Sequence, residues 1–259
     1  MITLLNGEEW QEPEILKRME DDSFYYGHLG QHALSSSSLK KLLQSPKAYQ
    51  ASLRRSDSSQ ALRDGRLVHL AVLEKHKLDD LVIINGTKAK KEFKEAVAEY
   101  GDHMVYTESE MNNAYWVADA VHSNDEASYI LNDCEYEVPG VAMIEDIAFR
   151  AKADALGSNG TVIIDLKTTS AGVNEFYYSA RKYNYGLQAA LYMRIFNATD
   201  FIFLVVDKTT KDIGIFTCSG EFLDKGSDDI YRGIDVYKKF FMSEDSEELI
   251  KNNVIRGIL

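Results

Sequence analysis

The spacing of apolar positions along the chain changes near its middle. Up to about residue 131, apolar residues recur three and four apart, the period of a helix with one buried face. In SQALRDGRLVHLAVLEKH (59–76), Leu62, Leu70 and Leu73 share one stripe and Leu67 lies close to it. The serine run at 35–38 precedes LKKLLQSPKAYQASL. This predicts a helix from Leu39 with Ser38 as its cap, broken or restarted at Pro46. Residues 88–100 and 107–131 predict two more helices, partly polar and exposed, whereas residues 1–34 look irregular.

From 134 to 154 the pattern alternates with period two. Met143, Ile147, Phe149 and Ala151 fall on one side, and Asp146, Arg150, Lys152 and Asp154 on the other. GSNG (157–160) has turn chemistry, and TVIIDLKTT (161–169) is a β-branched strand. A helix at 183–196, a strand pair at 201–208 and 213–219, and a helix at 221–242 complete the order. Helices, a hairpin, a helix, two strands and a helix predict the α/β class, with a central mixed β-sheet flanked by helices. We expect one domain over residues 1–259: an irregular segment (1–34), a mainly helical part (35–131), the sheet with its helices (132–242) and an acidic tail (243–259).

Composition narrows the class. Apolar residues are 45% and charged residues 27% of the 259, which excludes a disordered chain and a coiled coil. Two cysteines, Cys134 and Cys218, are too few for a disulfide framework, a four-cysteine zinc site or an iron–sulfur cluster. No apolar run is long enough to span a bilayer, and MITLLNGEEWQEPE is no signal peptide, so a cytoplasmic location without membrane contact is expected. Net charge is −12, yet residues 35–94 hold thirteen bases against six acids, a local +7. Salt screens the distant acids beyond about 8–10 Å, so this stretch keeps nucleic acid open as a partner. The alternative for it is a solvated basic face.

The sharpest chemical feature is IIDLKTT. Asp165 and Lys167 lie two apart on a strand and project from one face, while Leu166 faces away with Ile164. If a hairpin turns at 157–160, Asp154 and Asp165 converge. Two carboxylates brought together repel unless protonated or neutralised by a cation. Oxygen ligands of this kind suit Mg²⁺, with Lys167 steadying developing negative charge. These are the parts of phosphodiester hydrolysis. An Asp–Lys pair on a strand is also compatible with a surface ion pair worth about 0–1 kcal/mol. The run at 162–164 instead predicts a strand buried on both faces, where charges need a reason. Gln188 and Tyr192 sit four apart on one helical face, and His69 lies beside Arg66 on its helix. Each of these, on its own, reads first as a boundary residue. No P-loop and no G-x-G-x-x-G fingerprint is present.

In order, His69, Asp154, D-L-K at 165–167 and Q-A-A-L-Y at 188–192 resemble the PD-(D/E)XK nuclease superfamily, and within it the RecE-type exonuclease VIII group of phages and prophages. LSSSSLKKLLQSPKAY (34–49), DGRLVHLAVLE (64–74) and FRAKADAL…TVIIDLKTT are similar to that group, over roughly residues 34–240. The resemblance implies a restriction-endonuclease-like core. Asp154, Asp165, the Leu166 carbonyl and His69 would hold the metal, Lys167 would be the catalytic lysine, and Gln188 and Tyr192 would support the site. It implies Mg²⁺, with Mn²⁺ as a substitute, and digestion of double-stranded DNA from its ends, 5′ to 3′. A 3′ single strand would be left for an annealing protein, and some members form rings around the DNA. Arg150, Lys152, Arg181 and Lys182 are then candidate phosphate contacts. The chain departs from the pattern at Ala153, where relatives carry proline, and at Asp165, where many carry glutamate. It also lacks the long N-terminal extension of the larger exonucleases, and a four-cysteine set that would place it with the iron–sulfur nucleases. A structure-specific or restriction-type endonuclease, or a non-catalytic DNA-binding protein of the same fold, are the alternatives.

Overall fold

Apolar side chains order even the segment whose sequence shows no period. The computed structural model describes residues 1–54 and 59–254. Residues 1–34, expected to be irregular, form β1 (Ile2–Thr3) antiparallel to β2 (Glu9–Trp10), then α1 (Glu12–Arg18), a π-helical turn (Ser23–His28) and α2 (Leu29–His32). Ile15, Met19, Phe24 and Leu29 pack with Val141 and Ala148 of the main sheet.

Side-chain caps set where the next helices begin. Ser35, in extended conformation, accepts a hydrogen bond from the Ser38 N–H and starts α3 (Ser36–Gln44). The cap is thus Ser35 and not Ser38, because Ser35 is the last residue outside the helix. Ser45 caps α4 (Pro46–Ser52), so Pro46 restarts the helix at a position where no N–H is needed. Ser59 caps α5 (Gln60–Leu73), which buries Leu67, Leu70 and Leu73. Leu62, on the same stripe, is exposed in the first turn, before the helix reaches its packing partners.

β3 (Val82–Ile84) runs parallel to β4 (Val105–Thr107), with α6 (Lys91–Tyr100) between them. Strands of three residues are too short to show a period, and the sequence did not predict them. The single helix expected over 107–131 is two, α7 (Glu108–Ser123) and α8 (Asp125–Leu131). Asn124 leaves the helical region between them, and its side chain caps the Ala127 N–H.

The main sheet has five strands in chain order: β5 (Cys134–Ile144), β6 (Ile147–Gly157), β7 (Val162–Thr169), β8 (Asp200–Asp207) and β9 (Ile213–Thr217). All neighbours are antiparallel except β7 and β8, so the sheet is mixed as expected. The alternating stretch from 134 to 154 is folded into two strands. Glu145 and Asp146, at φ 51° and 63°, form the two-residue turn between them. α9 (Phe176–Lys182) and α10 (Tyr185–Phe196) cross from β7 to β8. α11 (Gly220–Phe241) and α12 (Ser246–Lys251) follow.

Two faces of the sheet are covered. Ile164, Leu166, Leu204 and Val206 pack with residues of α5 and α7. Ile163, Phe201, Phe203 and Val205 pack with residues of α9 and α10. α11 clamps α10 from outside through two glycines. A Cβ on Gly226 would lie 2.1 Å from the Gly186 carbonyl oxygen, and one on Gly186 would lie 2.7 Å from that of Phe222. Among the described residues no helix is long and apolar enough to cross a membrane.

Candidate active site

The site forms where two paired strands part. β6 and β7 pair at Leu156 with Ile163 and at Ala155 with Ile164, and the ladder then stops. The next two facing positions are Asp154 and Asp165. Where the backbone pairing ends, the Asp154 carboxylate takes over: its Oδ2 accepts the Leu166 N–H at 2.8 Å. The hairpin turned at 157–160 therefore brings the two predicted carboxylates to one rim of the sheet.

Alternation along β7 directs Asp165 and Lys167 to the face covered by α9 and α10. Asp165 is 1% exposed. Gln188 of α10 donates from Nε2 to Asp165 Oδ1 at 2.6 Å. The Lys167 ammonium makes an ion pair with Asp165 Oδ2, an oxygen that has no partner of regular hydrogen-bond geometry. Burial pushes the Asp165 carboxyl above the usual range, and Lys167 opposes that rise. Burial also disfavours the charge on Lys167, but Asp165 and Asp154 outweigh it and hold the ammonium above its ordinary value. Lys167 Nζ lies 5.3 Å from the centre of the Tyr185 ring.

His69 reaches β7 from the opposite face. Its Nε2, when protonated, donates to the Leu166 carbonyl at 2.9 Å, and its Nδ1 lies 3.6 Å from Asp154 Oδ2. Helices on the two faces of the sheet thus grip consecutive residues of one strand: α10 holds Asp165 and α5 holds Leu166.

A further acid, which the sequence did not single out, comes from β5. Glu137 faces Asp154 in register, at the one position between Tyr136 and Val138 where the β5–β6 ladder omits a pair. Its φ is 52°, a conformation that costs a non-glycine residue energy and clusters at functional sites. Burial, with the Asp154 charge beside it, pushes its carboxyl up to about 8. His69, Glu137 and Asp154 offer ligand atoms within 4.8 Å of one another. Counting back from a turn at 145–146 places Glu137 opposite Asp154.

The remaining candidates divide. Tyr192 lies one turn beyond Gln188, and burial keeps its phenol neutral. Its ring packs on Phe196 and Phe201, so it also serves the core. Arg150 is not available to a phosphate. It is buried, donates from Nε to the Leu29 carbonyl at 3.1 Å and lies over the Tyr25 ring. Lys152, also largely covered, pairs with Asp22 at 2.7 Å. Arg181 and Lys182 are exposed on α9, over the rings of Tyr177 and Tyr183.

The donor set fits a hard divalent cation. Two carboxylates (Glu137 and Asp154) and the His69 imidazole offer ligand atoms within 4.8 Å of one another, with the Leu166 carbonyl 2.9 Å from His69 Nε2; Asp165 is not part of that cluster, its oxygens facing Gln188 and Lys167. Oxygen-rich sets with one imidazole suit Mg²⁺ and Mn²⁺.

Comparison with known proteins addresses the fold and the family. No curated protein matches the chain. Among solved structures, a candidate exonuclease from Eubacterium rectale is 16% identical, covering 92% of this chain and 95% of its own, with a TM-score of 0.63, which shows a shared fold. A phage-related exonuclease from Haemophilus somnus 129PT is 15% identical, covering 82% of this chain and 96% of its own, with a TM-score of 0.36. Residues 35–248 match a family described as a PDDEXK-like domain of unknown function (DUF3799). With the match spanning all five strands of the main sheet and both helices that grip β7, the chain belongs to that PDDEXK-like family.

Proposed function

We propose that the protein is a Mg²⁺-dependent exodeoxyribonuclease that digests duplex DNA from its ends, 5′ to 3′, with Mn²⁺ able to substitute. One observation carries the reading: buried Asp165, held by Gln188 and paired with Lys167, faces Asp154 where β6 and β7 separate. A nuclease reading explains why charges are gathered at the end of a buried strand, which an ordinary surface ion pair does not.

Asp154, Asp165, Glu137, His69 and the Leu166 carbonyl are the groups that would hold the ion. When bound, it supplies Lewis acidity at the phosphate and relieves repulsion among the carboxylates. The chain's own groups do the rest. Gln188 fixes one Asp165 oxygen and leaves the other toward Lys167. Lys167 stays protonated beside the acids and offers N–H donors to a phosphate oxygen as negative charge grows there. His69 anchors the Leu166 carbonyl and so the orientation of the D-L-K turn of strand.

End preference, polarity, a ring around the duplex and a single-strand annealing partner rest on the likeness of the ordered motifs to the exonuclease VIII group. The test is digestion of end-labelled linear duplex and of a covalently closed circle in Mg²⁺. Wild-type protein is expected to shorten the linear DNA from its 5′ ends and leave the circle intact. Asp165→Ala and Lys167→Ala are expected to leave both DNAs intact. Cutting of the circle would make the enzyme an endonuclease. Undiminished digestion by both variants would remove the mechanism. Light scattering tests the ring as a discrete trimer or tetramer.

A further inference from the structure

We propose that Lys40 and Tyr183 form a nucleotide subsite beside Lys167, in which Lys40 binds a backbone phosphate of the DNA strand and the Tyr183 ring stacks on its base. This rests on the nuclease reading above and adds residues that neither the ordered motifs nor the carboxylate rim includes.

Lys40 projects from α3, and the Tyr185 ring joins it to the catalytic lysine. Lys40 Nζ lies 5.0 Å from the centre of that ring, and Lys167 Nζ lies 5.3 Å from the same centre. Two ammonium groups therefore share one aromatic ring. Lys167 has a carboxylate partner in Asp165. Lys40 makes no hydrogen bond or ion pair with any described residue, although it is more covered than a surface lysine. A half-buried cation next to a second cation is unfavourable unless an anion joins them. The anion this arrangement fits is a phosphate, which a lysine binds as a point charge.

The ring system continues outward from this point. Tyr185 packs on Tyr183 with centres 5.9 Å apart. Tyr183 is 52% exposed, with Lys182 Nζ 5.4 Å from its centre. Tyr177 and Tyr178 on α9 are also exposed, and Arg181 lies over the Tyr177 ring. Tyr185 and exposed Tyr183, interleaved with Lys167, Lys40 and Lys182, match the requirements of an unpaired strand: a face for a base and a positive charge for a phosphate. Duplex DNA hides its base faces, so the fitting occupant is a strand already separated at the site.

The test is fluorescence anisotropy of a labelled single-stranded oligodeoxynucleotide over a range of salt, in Ca²⁺ to keep the strand intact. It compares wild type, Lys40→Gln, Lys40→Arg and Tyr183→Ala. Mn²⁺ calorimetry without DNA runs in parallel. Lys40→Gln is expected to lower affinity about tenfold and to reduce the salt slope by about 0.7, the loss of one phosphate contact on a single strand. Lys40→Arg is expected to restore both. Tyr183→Ala is expected to lower affinity by a similar factor and leave the slope unchanged. Mn²⁺ binding is expected to be the same in all four. Wild-type affinity and slope in Lys40→Gln would overturn the subsite while leaving the nuclease reading in place. A wild-type protein that binds Mn²⁺ but no oligonucleotide would also overturn the subsite, and digestion of the linear duplex decides the nuclease reading separately.

Discussion

Asp154 on β6 accepts the backbone N–H of Leu166 on β7, so a side chain replaces the ladder bond at the point where the two strands separate. The same carboxylate lies beside His69, and Glu137 faces it from β5. It therefore has a structural task and a chemical one, and substitution can separate them. Asp154→Asn keeps an acceptor for Leu166 and removes a charge. It is expected to melt at or above the wild-type temperature in EDTA, and to lose the upward shift that Mn²⁺ gives the wild type. Asp154→Ala leaves a buried N–H unpaired and is expected to be less stable than Asp154→Asn by about 1–3 kcal/mol. Thermal melting with and without Mn²⁺ checks both, and a Mn²⁺ shift retained by Asp154→Asn would count against its role as a ligand.

Removing one member of the Asp165–Lys167 pair should cost more than removing both. Lys167→Met strands a carboxylate that is 1% exposed, and its expected cost is about 3–5 kcal/mol. Adding Asp165→Asn to Lys167→Met is expected to recover most of that stability without recovering digestion. Urea denaturation of the two variants is the measurement. Equal stability of the single and double variants would show that the charges are not coupled.

Glu137 gives the ion-free protein a pH dependence. Its carboxyl is pushed up to about 8 in the fold, against an ordinary value of 4.5. Between those values the folded chain holds a proton that the unfolded chain has lost. The stabilisation is complete below about 4.5 and is lost as pH rises through about 8. Glu137→Gln is expected to flatten this fall in EDTA and to weaken Mn²⁺ binding. Melting temperatures across pH 5 to 9 for both proteins decide it. Parallel profiles would assign the dependence to another group.

Lys40 titrates in the opposite sense. Burial, with Lys167 beside it, lowers it to about 8 from 10.5. Between those values the unfolded chain binds the extra proton, so this group adds stability as pH rises. Its charge, and with it the attraction for a phosphate, is lost over the same rise. Oligonucleotide affinity is expected to fall as pH passes about 8 in wild type, and this step is expected to be absent in Lys40→Arg, whose guanidinium stays charged. Anisotropy titrations at pH 7 and 9 measure it.

The glycine contact between α10 and α11 positions Gln188 from a distance. Gly226→Ala sets a methyl group against the Gly186 carbonyl, which belongs to the helix backbone and cannot rotate away. A loss on the order of 1–3 kcal/mol is expected, with reduced digestion because α10 must shift. Gly220→Ala, at the start of α11 with open space around its Cβ position, is the control. Equal melting temperatures for the two would show that α10 is held by other contacts.

The chain's own pattern determined the elements with enough residues to repeat a period: the stripe on α5, the strands around Asp165 and Asp207, and the long helix α11. It also determined the members of the rim that have local signatures. Asp165 and Lys167 share a strand face because side chains alternate, and Gln188 and Tyr192 share a helical face because four residues make about one turn. Even the convergence of Asp154 on Asp165 followed from a turn at 157–160. Tertiary structure decided what depends on register and burial. A two-residue turn at 145–146 fixed which β5 residue faces Asp154, and so brought in Glu137. Packing against residues 1–34 buried Arg150 and removed it from the set of phosphate contacts. The fold of α3 against the crossover helices placed Lys40 over a ring shared with Lys167, although the two lie far apart in sequence. Local spacing reports which side chains share a face. Which faces meet is settled by long-range burial, and no single segment carries that information.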